Sequence, residues 1–294
     1  MDTKSRILFI INPISGIGKQ KKVEAVIEES LNKAVFDYKI AYTEYAHHAT
    51  EICKNIALKK DFDIIAVVGG DGSINDCVKG LAGTDISLAI VPAGSGNGFA
   101  RTLKIPLNLN NAIEVINEQK RICIDTVSLN DICYVSIAGI GFDALVAKEF
   151  AKVRTRGFHS YFQIVATHYP LYRSSKYSLE IDGEKIERKA LFICFANANQ
   201  FGYNTVIAPS SKLTDGFMDV ICVQKIPIPF LPFVASLLFT KLFEQSTYVK
   251  SYKAKEVKVF SNNVIPVNID GEYIEVEGDL HVKIFERNLN VIIP

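Results

Sequence analysis

Three glycines, one carboxylate and the start of a helix stand together in Gly69-Gly70-Asp71-Gly72-Ser73-Ile74-Asn75, directly after the apolar Val67-Val68. Glycines let backbone approach a ligand closely, and a new helix aims unpaired N–H groups and the positive end of its dipole at an anion. Asp71 is itself negative. A carboxylate beside phosphates makes chemical sense when a divalent cation sits between them, so the segment reads as a metal–nucleotide cradle. An Asp-Gly turn closing a strand is the simpler alternative, but such a turn has no need of Gly-Gly before its Asp. Two further loops share the character: Pro92-Ala93-Gly94-Ser95-Gly96-Asn97-Gly98, and Asn12-Pro13-Ile14-Ser15-Gly16-Ile17-Gly18-Lys19. Neither has the spacing of G-x-x-x-x-G-K-[ST] or G-x-G-x-x-G, so each is weak alone and the set carries the signal.

The elements that must position these loops alternate. Ile7–Ile11, Phe36–Ala41, Ile64–Val68 and Leu88–Val91 read as strands, and Lys19–Lys33, Ala46–Lys59 and Ser73–Leu81 as helices. Such alternation predicts a parallel sheet with crossover helices, with ligands at the carboxyl ends of the strands. Ile74, Cys77, Val78 and Leu81 recur at helical spacing and predict the face buried on that sheet. Beyond about residue 127 the pattern changes to short apolar runs with Asp-Gly and Pro turns, which predicts mainly antiparallel, β-sandwich-like sheet, interrupted by a helical insert over about 144–172. The α/β domain is therefore placed at 1–127 and the β-rich domain at 128–283. Phe230–Phe243 is the most apolar stretch; Lys241 and three prolines make it too short for a membrane span, and it reads as a buried helix, with membrane docking as the alternative.

Composition excludes several classes. Among 294 residues the formal charge is +1 with 22% charged residues, so no basic field exists for nucleic acid. The six cysteines form no C-x-x-C pair, which argues against zinc and against a disulfide framework and suits reduced thiols in a cytoplasmic protein. Met1–Arg6 lead straight into a strand-like segment, without the pattern of a signal peptide.

In order and spacing, Asn12-Pro13 with Ser15-Gly16, then Gly69–Asn75, then Pro92–Asn97, resemble the diacylglycerol kinase catalytic-domain superfamily, which includes bacterial lipid kinases and the sphingosine and ceramide kinases. Ala208-Pro209 with Leu213–Asp219, and Ile269-Asp270-Gly271-Glu272, extend the likeness to the end of the chain. The resemblance implies a nucleotide-binding α/β domain, a lipid-binding β domain and a last strand, 284–294, returning to the first domain. It implies ATP contacts at Asn12, Pro13, Ile14, Ser15, Gly16, Thr43, Gly69, Gly70, Asp71, Gly72, Ser73, Ile74, Asn75 and Ser95. It implies a Mg2+ site at the Lys212 and Phe217 carbonyls and Asp215, linked through water to Asp125. Asp270 is implied as the base that takes the proton of a lipid hydroxyl, with Glu272 supporting it and Asp71 organising metal; sphingosine-kinase-like accounts make Asp71 the base instead.

Ile-Asp-Gly-Glu occurs twice, and Ile181–Glu184 reads as a solvated hairpin. Asn97-Gly98-Phe99-Ala100 lacks the carboxylate of the Asn-Asp-Phe-Ala common in bacterial diacylglycerol kinases, and Asp143 stands where sphingosine kinases contact a lipid head, or else caps a helix. The expectation is an ATP- and Mg2+-dependent kinase of diacylglycerol or a related lipid, cytoplasmic and peripheral at the inner membrane face, with a homodimer left open. Alternatives are a sphingoid-base kinase, an NAD kinase, and a lipid-binding protein without turnover. Lys148, Lys152, Arg154 and Arg156 offer a basic docking cluster, and His47-His48 read as surface residues near Thr43.

Overall fold

The computed structural model describes residues 4–13, 22–153 and 157–294. Two compact units divide the chain, one formed by residues 1–124 and 287–294 and the other by 125–286.

In the first unit β1 (Ser5–Ile11), β2 (Phe36–Tyr42), β3 (Ile64–Gly69) and β4 (Ser87–Pro92) pair in parallel in the order β2-β1-β3-β4. Their crossovers carry α1 (Val23–Ser30), α2 (His48–Lys59) and α3 (Asp71–Leu81), followed by α4 (Gly98–Thr102) and α5 (Leu109–Glu118). Every residue of β3 and β4 is buried, as expected for strands covered on both faces. The strand order reverses direction between β1 and β3, so the carboxyl ends of those two strands flank the switch point, where open α/β sheets bind ligands. Ile74, Cys77, Val78 and Leu81 form the buried face of α3 that their spacing predicts. The helix expected at Lys19–Lys33 is shorter: α1 ends at Ser30, where Leu31 turns extended, and its expected start lies outside the described residues.

β5 (Arg121–Leu129) begins in the first unit and ends in the second, where it pairs with β6 (Ile132–Tyr134), and β7 (Ile137–Gly141) leads into α6 (Phe142–Lys152) and α7 (Phe158–His168). The expected single insert is thus two helices. Then come β8 (Ser175–Ile181), β9 (Glu184–Ala190), β10 (Phe192–Ala196), β11 (Met218–Val223), α8 (Leu231–Thr240), β12 (Val249–Ala254), β13 (Glu256–Phe260), β14 (Ile265–Ile269), β15 (Glu272–Val276) and β16 (Leu280–Ile292). A six-stranded antiparallel sheet runs β12-β11-β10-β7-β14-β15, while β8 pairs with β9 and β13 and β13 pairs with the start of β16. A core including Tyr134, Phe195, Val220, Val257, Val267 and Val282 joins residues from both sets of strands, which makes this unit sandwich-like. The far end of β16 belongs to the first unit, where Asn290 and Val291 pair in parallel with Ser87 and Leu88.

The buried helix expected at Phe230–Phe243 is corrected. α8 buries only Val234 fully, with Leu231, Leu237 and Leu238 packed partly against the sheet, and it leaves Phe233 and Phe239 exposed. An apolar helix lying on one sheet can bury one stripe, whatever its total hydropathy.

Gly80 marks where α3 meets α2. A Cβ there would stand 2.5 Å from the Cys53 Cβ and 2.9 Å from the Thr50 carbonyl oxygen. Gly80→Ala gains about 1 kcal/mol of helix propensity but must separate the helices, at about 1–3 kcal/mol, so the expected net change is destabilising. Urea titration checks this, and a variant more stable than the wild type contradicts the packing.

Candidate functional site

In the first unit the glycine loops after β3 and β4 are bound to each other. Asp71 opens α3, and its two carboxylate oxygens accept the Gly98 and Phe99 amides at 3.0 Å each, fastening the loop after β3 to the start of α4. Burial pushes the Asp71 carboxyl up, against the pull of those amides. The Ala93 amide donates to the Gly69 carbonyl at 2.8 Å, and the Asn12 side-chain amide donates to the Ser73 hydroxyl at 3.3 Å. Asn97, at φ 49°, closes its own loop by accepting from the Gly94 amide and donating to the Gly94 carbonyl.

The glycines divide by role. A Cβ on Gly94 would lie 2.5 Å from the Gly70 Cα, and one on Gly70 would lie 3.1 Å from the Gly94 Cα, so these two are small because the loops touch. Gly72 has nothing within 4 Å of its would-be Cβ and is the glycine with room for a ligand. α3 begins with no side-chain cap, the kind of helix start that can receive an anion. Asn75 is fully buried, and among the described residues neither its amide nitrogen nor its carbonyl oxygen has a hydrogen-bond partner. An orphaned amide beside an uncapped helix start and an open glycine fits a bound phosphate ester. Thr43 follows β2, its amide held by the Ile11 carbonyl, and Ser95 is exposed in the second loop. Ile14, Ser15 and Gly16 lie outside the described residues, whereas Pro13 is exposed just before them. His47 stands just before α2 and pairs with Asp76 at 2.9 Å, and His48 stacks on Tyr45.

The second unit gathers the other carboxylates. Both Ile-Asp-Gly-Glu copies are two-residue hairpins with positive φ at Asp and Gly. Asp182 accepts the Lys255 and Glu256 amides; Asp270 accepts those of Val135, Ser136 and Ile137 at 2.8–3.3 Å. Asp182 is therefore more than a solvated turn, and the two copies share one construction. They differ in exposure, since Asp182 faces solvent and Asp270 is partly covered. Glu272 opens β15 opposite Ile269.

Asp125 is buried and accepts the Gly216 amide at 2.8 Å, while Asp215 accepts the Phe217 amide at 3.2 Å. Lys253 Nζ lies 2.7 Å from the other Asp215 oxygen and 3.5 Å from buried Asp219, whose carboxyl burial pushes up. The oxygen donors suit a hard cation, and Lys253 already supplies positive charge to them. Lys212 is exposed nearby in sequence. Lys253 and Asn197 were missed by sequence reasoning. Asn197 donates to the Asp125 and Val135 carbonyls at 3.0 and 2.9 Å, tying the Asp125 segment to the one that holds Asp270. A single Asn between alanines gives no signal in sequence.

Asp143 lies inside the first turn of α6 and makes no capping bond, so the helix-cap reading is corrected. Its carboxylate is buried over Gly139, accepts the Asn268 amide at 2.8 Å, and is pushed up to about 6 by burial. The folded state thus holds its proton to higher pH than the unfolded chain does, and this group costs stability as pH rises from about 4 to 6.

Residues 6–129 match the family model described as Diacylglycerol kinase catalytic domain, and residues 136–293 match YegS C-terminal NAD kinase beta sandwich-like domain. The chain is 30% identical to the diacylglycerol kinase of Bacillus subtilis (strain 168), over 98% of this chain and 96% of that one. It is 28% identical to that of Staphylococcus carnosus (strain TM300), over 92% and 89%. The crystal structure of a diacylglycerol kinase from Bacillus anthracis str. Sterne superposes with a TM-score of 0.75 at 22% identity, covering 100% of this chain and 98% of that one.

If Lys253 and Mg2+ share the Asp215 carboxylate, they compete. Lys253→Met is expected to lower the melting temperature in chelator, because Asp219 loses its counter-charge, and to show a larger Mg2+-dependent rise than the wild type. Equal rises in a thermal scan with and without magnesium contradict the shared site.

Proposed function

Since the chain belongs to the diacylglycerol kinase family and is a lipid kinase, we propose that it transfers the γ-phosphate of ATP, with Mg2+, to a hydroxyl of diacylglycerol or a closely related membrane lipid. The observation that carries the nucleotide half is the start of α3, next to the β1/β3 switch point, with no side-chain cap, an open Gly72 and an unpartnered Asn75. When bound, Mg2+ would neutralise phosphate charge as it develops in transfer.

The chain's own residues do the rest. Backbone amides at the start of α3 receive phosphate oxygens, and Asn75 completes its hydrogen bonds on the nucleotide. Asp71 holds the second loop in place through the Gly98 and Phe99 amides. Asp270, oriented by the Val135–Ile137 amides, accepts the proton of the attacking lipid hydroxyl, with Glu272 beside it in the hairpin. Asp215, Asp125 and the Lys212 and Phe217 carbonyls would hold the second-unit magnesium and keep the Asn197-linked segments in register. Asp143 is buried and one of its oxygens accepts the Asn268 amide, so it is not an open counter-charge for a sphingoid amine. Peripheral contact with a membrane follows from the acceptor, whose acyl chains lie in a bilayer; no described helix is long and apolar enough to cross one.

A radiolabelled-phosphate transfer assay over diacylglycerol, sphingosine and NAD tests the reading; labelled phosphatidate supports it, and label in sphingosine or NAD alone overturns it. Asp270→Asn is expected to cut turnover about 10²-fold or more with nucleotide affinity retained. It also turns a side-chain NH2 toward backbone donors, so its matched control is Asp182→Asn, which suffers the same conflict and should keep its turnover. Parallel losses of turnover in both variants remove the base assignment. Asn75→Leu separates binding from folding in the other direction. Removing an unsatisfied buried amide should leave stability equal or higher, while nucleotide affinity falls by about 1–3 kcal/mol in a calorimetric titration. Unchanged affinity contradicts the nucleotide contact.

A further inference from the structure

Two helices of the second unit are apolar yet hardly buried. α7 has no fully buried residue, and α8 has only Val234. Phe162 is 60% exposed on α7, and Phe233 is 68% exposed on α8. The two helices meet: the Phe158 ring lies 6.4 Å from that of Phe239 and 5.6 Å from that of Tyr203. The exposed apolar faces of α7 and α8 thus adjoin at Phe158 and Phe239 to make a shelf, which a scatter of single exposed side chains would not.

The shelf is firmly mounted. Tyr169, just past α7, donates its hydroxyl to the Ile226 carbonyl at 2.7 Å and accepts the Ile226 amide at 2.8 Å. Lys225 Nζ donates to the Tyr172 and Pro170 carbonyls, so the chain leaving α7 is bonded to the chain entering α8.

Charge identifies the occupant. No Asp or Glu occurs from Phe150 to Leu179, or from Val220 to Phe243. Arg173 lies beyond α7 near Leu171, and Lys241 ends α8 beside Leu242; all four side chains are exposed, and neither cation has a carboxylate partner among the described residues. By contrast, the basic cluster expected from sequence is half neutralised, with Lys148 paired to Glu275 and Lys152 to Glu149, while Arg154 and Arg156 lie outside the described residues. A symmetric dimer through the shelf would bring unpaired cations together with no acid to receive them. A bilayer surface of anionic lipid supplies both the apolar depth and the missing negative charge.

We propose that the α7–α8 shelf is the surface by which this protein docks on anionic membrane. Phe162 and Phe233 enter the acyl boundary, and Arg173 and Lys241 reach the head groups. This rests on the lipid-kinase reading, but its test does not depend on turnover.

The full chain is sedimented at low salt with phosphatidylcholine vesicles and with vesicles containing phosphatidylglycerol. The wild type should partition more to the anionic vesicles, and Phe162→Ser with Phe233→Ser should lower that partition about tenfold or more. Arg173→Glu with Lys241→Glu should abolish the preference for anionic over neutral lipid. Both pairs are exposed, so far-ultraviolet circular dichroism should match the wild type; the single change Phe162→Ser repeats the test with one side chain. Turnover on a short-chain soluble diacylglycerol should survive in every variant. Absence of that turnover in the wild type would count against the lipid-kinase reading, whereas vesicle partition still decides the shelf. Equal partition of wild type and variants overturns the proposal, and so does a wild-type dimer that the phenylalanine changes dissociate without altering vesicle binding.

Discussion

Carboxylates seized by backbone amides hold the working loops of this protein. Asp71 takes the Gly98 and Phe99 amides, Asp125 that of Gly216, Asp182 those of Lys255 and Glu256, and Asp270 those of Val135, Ser136 and Ile137. A charge-assisted bond to an amide is shorter and stronger than a neutral one, and it satisfies donors that irregular backbone would otherwise leave open. Segments far apart in the chain are fixed this way, at Asp182 and Asp270 just past the end of a strand ladder.

The arrangement places opposite demands on one residue type. A carboxylate that organises backbone must keep its lone pairs occupied, while one that serves chemistry must keep some available. In the proposed mechanism Asp270 stands at both tasks, and the four or so acceptor sites of a carboxylate make that feasible. Asp215 resolves the demand differently, giving one oxygen to the Phe217 amide and the other to Lys253, an exchangeable cation on a flexible stem.

In the first unit the same constraint appears in reverse. Asn75 is fully buried with both polar atoms unpartnered, a cost that folding alone does not repay. The parallel sheet bears it because β3 and β4 are buried along their whole length and fix the position of α3. In the proposed reading a nucleotide makes good that deficit of hydrogen bonds when it binds.

Periodicity and turn chemistry by themselves determined the fold class. Alternating strand and helix runs before Val127 can bury their apolar faces only as a parallel sheet with crossovers, and the Asp-Gly hairpins after it only as antiparallel sheet. The buried stripe of α3 was equally legible, because its spacing is local. Tertiary structure decided what local pattern leaves undetermined. Gly70 and Gly94 are small for each other, since their loops meet across neighbouring strands. Asp182 and Asp270 share one sequence and one hairpin, and only the segments packed against them tell them apart. Lys253 reaches Asp215 from a strand 38 residues away. Phe230–Phe243 is apolar enough to be buried, yet one sheet face can cover only one side of a helix, and the exposed remainder became a surface. Sequence sets which groups seek burial or charge, and packing decides which of them find it.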